Sequence, residues 1–182
     1  MAEIFRKISS IKLPQLDREA QGEDYWREHK GVVRCPRCSN VHFKKRWYAS
    51  SSDLRGLLKV KKLSITETKF CQACRMIKEH TFEGEIFIDG FPYYKKKELL
   101  RLINNFGERA VKIDPQDRII KIEETKTGYR VTTTENQLAG KLARKIKEVF
   151  KMVKVHYSRS PEPAEVSRIF VTFHGARGSK FS

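Results

Sequence analysis

The chain has 182 residues, of which 38 are lysine or arginine and 22 are aspartate or glutamate, so its formal net charge is +16. Hydrophobic residues make up 39% of the sequence, enough for a folded core, but no apolar run reaches the roughly 20 residues that a membrane-spanning helix needs. The first residues also lack the apolar stretch and cleavage site of a secretory signal, so we predict a cytoplasmic protein without a membrane partner.

The positive charge is concentrated in one part of the chain. Residues 1–30 form a neutral, weakly patterned N-terminal extension, whereas residues 31–80 carry twelve basic and three acidic side chains. Such a field attracts polyanions, because each phosphate that is neutralised releases condensed counterions. An anionic membrane is the main competing partner, but the basic runs lack an adjoining amphipathic anchor. The charge therefore favours nucleic acid or ribonucleoprotein over a merely solubilising surface.

The four cysteines of the chain form two C-x-x-C pairs, Cys35 with Cys38 and Cys71 with Cys74. Four thiolates match the tetrahedral preference of zinc, and a two-residue spacer lets one tight turn aim both sulfurs at the same ion. Two disulfides are disfavoured in a reducing compartment, and a redox C-x-x-C motif usually occurs once. The pattern predicts a Zn2+ site that four protein ligands close, leaving no position for a catalytic water.

Three histidines lie near these cysteines in the sequence, and each has ring nitrogens that can bind zinc. They are His29, His42 and His80. Because four cysteines already complete a tetrahedral set, we expect all three histidines to lie at the surface.

Basic residues surround both cysteine pairs, and two aromatic residues follow one run of three cations. Phosphates attract such cations, and unpaired bases stack on aromatic rings. Trp47 is either available for stacking or buried under the metal site, in a strand over residues 41–48. A cationic helix face is a weaker second surface, because such a face is usually only solvated. The candidate nucleic-acid-binding residues are Arg37, Lys44, Lys45, Arg46, Trp47, Lys61, Lys62 and Arg75, with Lys141, Arg144 and Lys145 on the second surface.

From residue 81 onward the hydrophobic pattern predicts regular elements in succession. Alternating apolar residues indicate a strand over residues 81–89, and an apolar stripe of helical period indicates a helix over residues 95–106 that stops at Gly107. Alternating residues on either side of a turn at 126–128 are typical of a β-hairpin.

A second helix and two strands complete the predicted domain. Thr134 and Gln137 form a capping box, which predicts that Thr134 caps a helix reaching Phe150. Strands over residues 152–157 and 166–173 then give the order β-α-β-β-α-β with one further strand. This order predicts a split β-α-β (ferredoxin-like) fold, with two helices on one face of an antiparallel sheet.

The predicted fold class is therefore α+β, with a four-cysteine zinc-ribbon-like module followed by a ferredoxin-like domain. The predicted division is an N-terminal extension over residues 1–30, the zinc-binding module over 31–80, the ferredoxin-like domain over 81–174 and a disordered tail over 175–182.

The two cysteine pairs and the segment over residues 137–173 resemble a known family. The helix sequence over 138–147, Ser158-Arg159 and the last strand, which contains Val171, are similar to the N-terminal zinc-binding region of the large-ribosomal-subunit export adaptor family, named for nonsense-mediated mRNA decay. The resemblance implies zinc on the four cysteines and a factor that binds the large ribosomal subunit during its maturation. Eukaryotic members of that family have more C-x-x-C zinc knuckles, and longer members continue into barrel domains. This sequence shows no leucine-rich export tail. The resemblance therefore implies an archaeal-type or short form.

The sequence thus predicts a non-enzymatic zinc-containing factor whose partner is ribosomal RNA or the large ribosomal subunit, with ribosomal proteins as further contacts. One alternative is a protein–protein adaptor that uses zinc only as a scaffold. Another is an RNA-processing enzyme, for which the acidic candidates are Asp114, Asp117, Glu123 and Glu124. We disfavour the enzyme because the sequence shows no nucleophile with a matching general base.

Overall fold

The computed structural model of the chain describes residues 31–43, 46–49, 65–159 and 166–174. The N-terminal extension, the tail and four candidate contact residues (Lys44, Lys45, Lys61 and Lys62) lie outside the described residues. The described part contains a four-stranded sheet, a five-stranded sheet and three α-helices, so the protein is mixed α+β. Within that part, none of the helices is long and apolar enough to cross a bilayer.

The smaller sheet consists of short strands around the cysteines. Its strands are β1 (Val32–Arg34), β2 (Val41–Phe43), β3 (Arg46–Tyr48) and β4 (Ile65–Thr68), and helix α1 (Gln72–Glu79) follows them. The order across the sheet is β3-β2-β1-β4, with β4 parallel to β1 and the other pairs antiparallel. The single strand predicted over residues 41–48 is wrong, because the chain reverses direction between β2 and β3 so that the two strands pair.

The larger sheet carries the two long helices. Its elements are β5 (Gly84–Asp89), a 3-10 turn (Tyr93–Lys95), α2 (Lys96–Ile113), β6 (Ile119–Glu124), β7 (Gly128–Thr133), α3 (Asn136–Phe150), β8 (Val153–Arg159) and β9 (Ser167–Phe173). The predicted hairpin is confirmed, since β6 and β7 pair antiparallel with Ile122 opposite Val131. The order across the sheet is β6-β7-β5-β9-β8.

This topology follows the predicted one on one side of β5 and departs from it on the other. β7 lies between β5 and β6, as in a split β-α-β unit. On the other side β9, rather than β8, pairs with β5, and it does so in parallel, so the sheet is mixed rather than antiparallel. The fully buried Ile169 and Val171 of β9 suit a central strand, whereas β8 exposes Lys154 and His156 and forms the edge.

One hydrophobic core lies between the helices and the larger sheet. Leu99 and Ile103 of α2 share it with Leu142 and Ile146 of α3, and all four side chains are fully buried. The spacing of four residues within each pair places both members on one side of a helix. Both helices therefore contribute to the same core.

Helix α2 continues past Gly107, which was expected to end it. Gly107 is buried within the helix, and a Cβ atom at that position would lie 2.8 Å from Cδ1 of Ile119. The glycine thus lets α2 approach β6 closely, and the helix ends instead at Ile113, two residues before Pro115.

Helix α3 begins one residue later than the capping box predicted. Its N-cap residue is Glu135, without a side-chain cap hydrogen bond. The Thr134 hydroxyl instead donates to the Gln116 carbonyl at 2.7 Å and accepts from the Arg118 N–H at 2.9 Å. Thr134 therefore fastens the loop between α2 and β6 rather than capping the helix.

A buried carboxylate lies on the sheet face opposite the helices. Glu85 is 2% exposed, and its two oxygens accept hydrogen bonds from Arg130 and, at 3.1 Å, from Arg168. Arg130 also bonds Glu123 at 2.8 Å. Because burying an unpaired carboxylate is costly, the two arginines are necessary for the position of Glu85 in the central strand.

Candidate metal centre

The first cysteine pair lies in a tight turn between β1 and β2. Cys35 follows β1 directly, and its N–H donates to the Asn40 carbonyl at 2.8 Å. The Ser39 N–H donates to the Cys35 carbonyl at 3.0 Å, and Ser39 has the positive φ of 59° that closes this turn. The turn brings the sulfurs of Cys35 and Cys38 to the same side, as their spacing predicted.

The second pair lies at the start of α1, a helix that the sequence analysis did not predict. Cys71 is the N-cap residue, and its Sγ accepts a hydrogen bond from the Cys74 N–H at 3.4 Å. A spacing of three residues over the first turn of a helix places both side chains on one face. The first turn of the helix thus brings the sulfurs of Cys71 and Cys74 to the same side, as the tight turn does for Cys35 and Cys38.

The four sulfur atoms form one compact cluster. All of them lie within 4.8 Å of one another, and the Sγ atoms of Cys38 and Cys71 are 3.7 Å apart. A tetrahedral zinc ion with bonds of about 2.3 Å separates its sulfur ligands by about 3.8 Å. A disulfide requires about 2.05 Å, and all four cysteines are free. The cluster therefore fits a tetrahedral metal ion, and no other group of three or more Cys, His, Asp or Glu in the described part of the chain does so.

The electrostatics of the cluster also favour a bound cation. The hydrogen bond with Cys71 lowers the pKa of the Cys38 thiol to about 4, while burial raises the pKa of the Cys74 thiol to about 11. The hydrogen bond with Cys38 also raises the pKa of Cys71. The pKa values shift in opposite directions because the sulfurs lie so close together that the ionisation of one opposes the ionisation of its neighbours. A divalent cation would stabilise thiolates at all of these positions.

Trp47 is buried beneath the cluster. Its side chain is 7% exposed and packs with Val33, Ala73 and the buried cysteines. Of the two alternatives for Trp47, burial under the metal site is therefore the one observed. A base cannot stack on its ring in this position, so Trp47 is not a candidate contact with nucleic acid.

The nearby histidines differ from one another. His80 is exposed at the end of α1, as expected. His42 is only 8% exposed, and its ring centroid lies 5.2 Å from that of Trp47, so the expectation of a surface histidine is wrong there. The alternation of β2 turns His42 toward Trp47 opposite it in β3. His29 lies outside the described residues.

Two residues from the loop between α2 and β6 contact the metal centre, and neither belongs to a sequence pattern that points to it. The Gln116 Oε1 atom accepts a hydrogen bond from the Ala73 N–H at 3.1 Å. Arg118 Nη1 lies 3.8 Å from the Cys74 Sγ atom and donates to it. Both side chains come from the loop that Thr134 fastens, so the loop connects the metal centre to α3.

Replacing Arg118 by glutamine is expected to weaken zinc binding by about 10- to 100-fold, because the Cys74 thiolate loses a charged donor. Competition against a chromophoric chelator measures this change. Arg109→Gln is the matched control, since Arg109 is exposed on α2. Equal zinc affinities in the two variants would show that Arg118 does not support the metal centre.

The candidate cations occupy several parts of the fold. Arg37 and Arg46 are exposed around the metal centre, and the Arg46 guanidinium lies 5.6 Å from the Tyr48 ring centroid. Arg75 is half-buried on α1. On α3, Lys141 and Arg144 are exposed, and Lys145 bonds Glu148 at 3.0 Å.

Three of the four acidic candidates for an enzyme are engaged in ordinary ion pairs or a turn. Glu123 bonds Lys121 and Arg130, Glu124 bonds Lys96 at 2.7 Å, and the Asp114 carboxylate accepts from the Gln116 N–H. Burial, followed by the charge of Asp114, raises the pKa of the fourth, Asp117. Burial, followed by the charges of Glu83, Asp117 and Asp114, raises the pKa of Glu135 to about 7. No local sequence pattern marks this carboxyl, because its raised pKa depends on contacts between distant segments.

Comparison with known proteins adds no identity to these observations. No protein-family model matches the chain, and no curated protein matches it significantly. What can be said of the site therefore follows from the geometry of its four cysteines, which can hold one metal ion.

Proposed function

We propose that this protein is a non-enzymatic, zinc-containing RNA-binding factor that acts on the large ribosomal subunit during its biogenesis. The observation that carries the proposal is a closed four-cysteine cluster within a segment of twelve basic and three acidic side chains. Four sulfur ligands leave no position for a metal-bound water. The ion would therefore fix the fold of a small basic module rather than catalyse a reaction.

The arrangement of the described cations supports this role. Arg37 lies in the turn between Cys35 and Cys38, so a metal ion held there would fix the backbone that carries it. The guanidinium of Arg34 donates to the Ser39 hydroxyl at 3.1 Å, beside the same turn. Cations on a fixed backbone lose less conformational entropy when they bind phosphate than cations on a loose loop.

The large ribosomal subunit is proposed as the partner on the basis of the family resemblance. The resemblance links the two cysteine pairs with the helix and strand pattern over residues 137–173. Ribosomal RNA would bind the basic module, residues 31–80, and ribosomal proteins would be further contacts. We also propose that residues 84–173 form a variant of the ferredoxin-like fold in which β9 is inserted beside β5.

RNA binding can be tested by fluorescence anisotropy with fragments of ribosomal RNA over a range of salt concentrations. We expect affinity to fall steeply with salt, and the double variant Arg37→Gln/Arg46→Gln to reduce the log–log slope by roughly 0.7 to 0.9 per cation. Arg101→Gln/Arg109→Gln removes the same charge from α2 and should change the slope less. Salt-insensitive or absent binding would contradict the proposal, as would RNA cleavage by the purified protein with Mg2+.

The partner is tested by sucrose-gradient sedimentation of cell extract. The protein is expected to co-sediment with free large subunits and to leave that fraction after nuclease treatment. A nuclease-resistant complex with one protein would instead support the adaptor alternative and contradict a role in RNA binding.

A further inference from the structure

Two adjacent tyrosines are unusually exposed at the turn that precedes α2. Tyr93 is 75% exposed and Tyr94 is 82% exposed, which makes them the two most exposed aromatic side chains among the described residues. Their rings contribute little to the core, so packing does not explain why two aromatic residues stand side by side there. Exposed aromatic rings in soluble proteins commonly mark binding sites.

The turn that carries the tyrosines is firmly attached to the fold. Phe91, which precedes it, packs edge-on against Phe150 of α3 and Phe173 of β9, with ring centroids 5.4 Å and 4.8 Å away. The Lys95 N–H donates to the Pro92 carbonyl at 2.9 Å and closes the turn. The two tyrosines are therefore presented on a supported turn, which reduces the entropy lost when a ligand binds.

Three lysines follow the tyrosines directly, and residues 90–97 contain no acidic residue. Lys96 Nζ lies 5.6 Å from the Tyr93 ring centroid and bonds Glu124. Lys95 is half-buried, with its Nζ 5.9 Å from the Phe150 ring centroid, and Lys97 is exposed. Cations at the start of a helix oppose the helix dipole, so helix stability does not account for this run of lysines. Binding to an anionic ligand gives them a role.

We propose that Tyr93 and Tyr94, together with Lys95 and Lys97, bind a single-stranded stretch of RNA. The rings stack on one or two unpaired bases, and the lysines neutralise the flanking phosphates. A duplex is a poorer ligand, because its base faces are already stacked on one another. This inference rests on the proposed RNA-binding function. It adds a second RNA-binding site, at the turn before α2, to the basic module around the cysteines.

The test uses the full chain and a fluorescent single-stranded oligouridine in an anisotropy titration. Tyr93→Ala/Tyr94→Ala is expected to weaken binding by at least about tenfold without changing the salt slope, whereas Tyr93→Phe/Tyr94→Phe keeps the rings and stays within about twofold of wild type. Lys95→Gln/Lys97→Gln is expected to lower the slope by about 1.4. Tyr157→Ala removes another exposed tyrosine, 52% exposed on β8, and should leave binding unchanged.

The outcomes separate this site from the proposed function. If the wild type binds ribosomal RNA, and Tyr93→Ala/Tyr94→Ala binds oligouridine as tightly as the wild type does, the tyrosine site is wrong and the proposed function stands. If the wild type binds no RNA, the proposed function itself fails. Equal losses for single-stranded and duplex RNA would overturn the stacking role. Loss of binding to vesicles of anionic phospholipid, with RNA binding intact, would assign the tyrosines to a membrane surface instead.

Discussion

Replacing Cys35 by serine is expected to reduce the bound zinc from one equivalent to nearly none and to unfold the smaller sheet with α1. A serine hydroxyl does not ionise at neutral pH, so the ion would keep only three thiolates. Structural zinc contributes about 10–16 kcal/mol of apparent binding free energy in small zinc-binding domains, and that energy is folding energy. The hydrophobic cluster around Trp47 is too small to replace it, since half of its six buried members are the cysteines themselves.

Elemental analysis of the purified variant measures the loss of metal, and hydrogen exchange locates the unfolding. Protection should disappear over β1 to α1 and persist over β5 to β9, because the larger sheet has its own core. Ser39→Ala is the matched control: it changes the same turn but leaves all four sulfurs, and it should keep its zinc. Full zinc content in Cys35→Ser would show that this cysteine is not a ligand.

Replacing Glu85 by alanine is expected to destabilise the larger sheet by about 3 kcal/mol, the usual scale for removing one partner of a buried ion pair. The substitution leaves Arg130 and Arg168 without their shared carboxylate, and both arginine side chains are largely removed from solvent. It also removes side-chain volume from the central strand. Urea denaturation followed by circular dichroism measures the change in the free energy of unfolding.

Glu123→Ala provides the comparison for this variant. Glu123 bonds the same Arg130 but is a partly exposed residue of β6, so its loss should cost less than about 1 kcal/mol. If the two variants lose the same stability, burial of Glu85 does not determine the strength of its ion pairs.

The sequence predicted the elements whose pattern repeats locally. The four cysteines, the hairpin of β6 and β7 and the apolar stripes of α2 and α3 all depend on the spacing of residues within one segment, and that spacing is visible in the sequence. The sequence also predicted the cluster of sulfurs, because a zinc ion takes four thiolate ligands and two C-x-x-C pairs supply that number.

The features that the sequence did not reveal depend on contacts between distant segments. A glycine at the end of a helical pattern is typical of a helix stop. Gly107 instead lets α2 pack closely against Ile119, which lies twelve residues away in the sequence. Thr134 has the character of a helix cap, yet its hydroxyl is used by the loop that carries Arg118. In each case a tertiary contact replaces the local role that the residue type favours.

The strand order of the larger sheet also depends on contacts between distant segments, which the sequence does not reveal. Both β8 and β9 have strand-like sequences, and nothing local decides which of them lies beside β5. The full burial of Ile169 and Val171 decides it, because those side chains complete the core beneath α3. Likewise, the contact between Arg118 and Cys74 joins residues 44 positions apart and requires the folded protein.

X-ray absorption at the zinc edge of the protein as purified tests the metal centre most directly. We expect one zinc ion with a shell of four sulfur atoms at about 2.3 Å and no nitrogen or oxygen ligand. A protein free of metal with its cysteines oxidised, or a shell in which histidine nitrogen or water oxygen replaces sulfur, would contradict it.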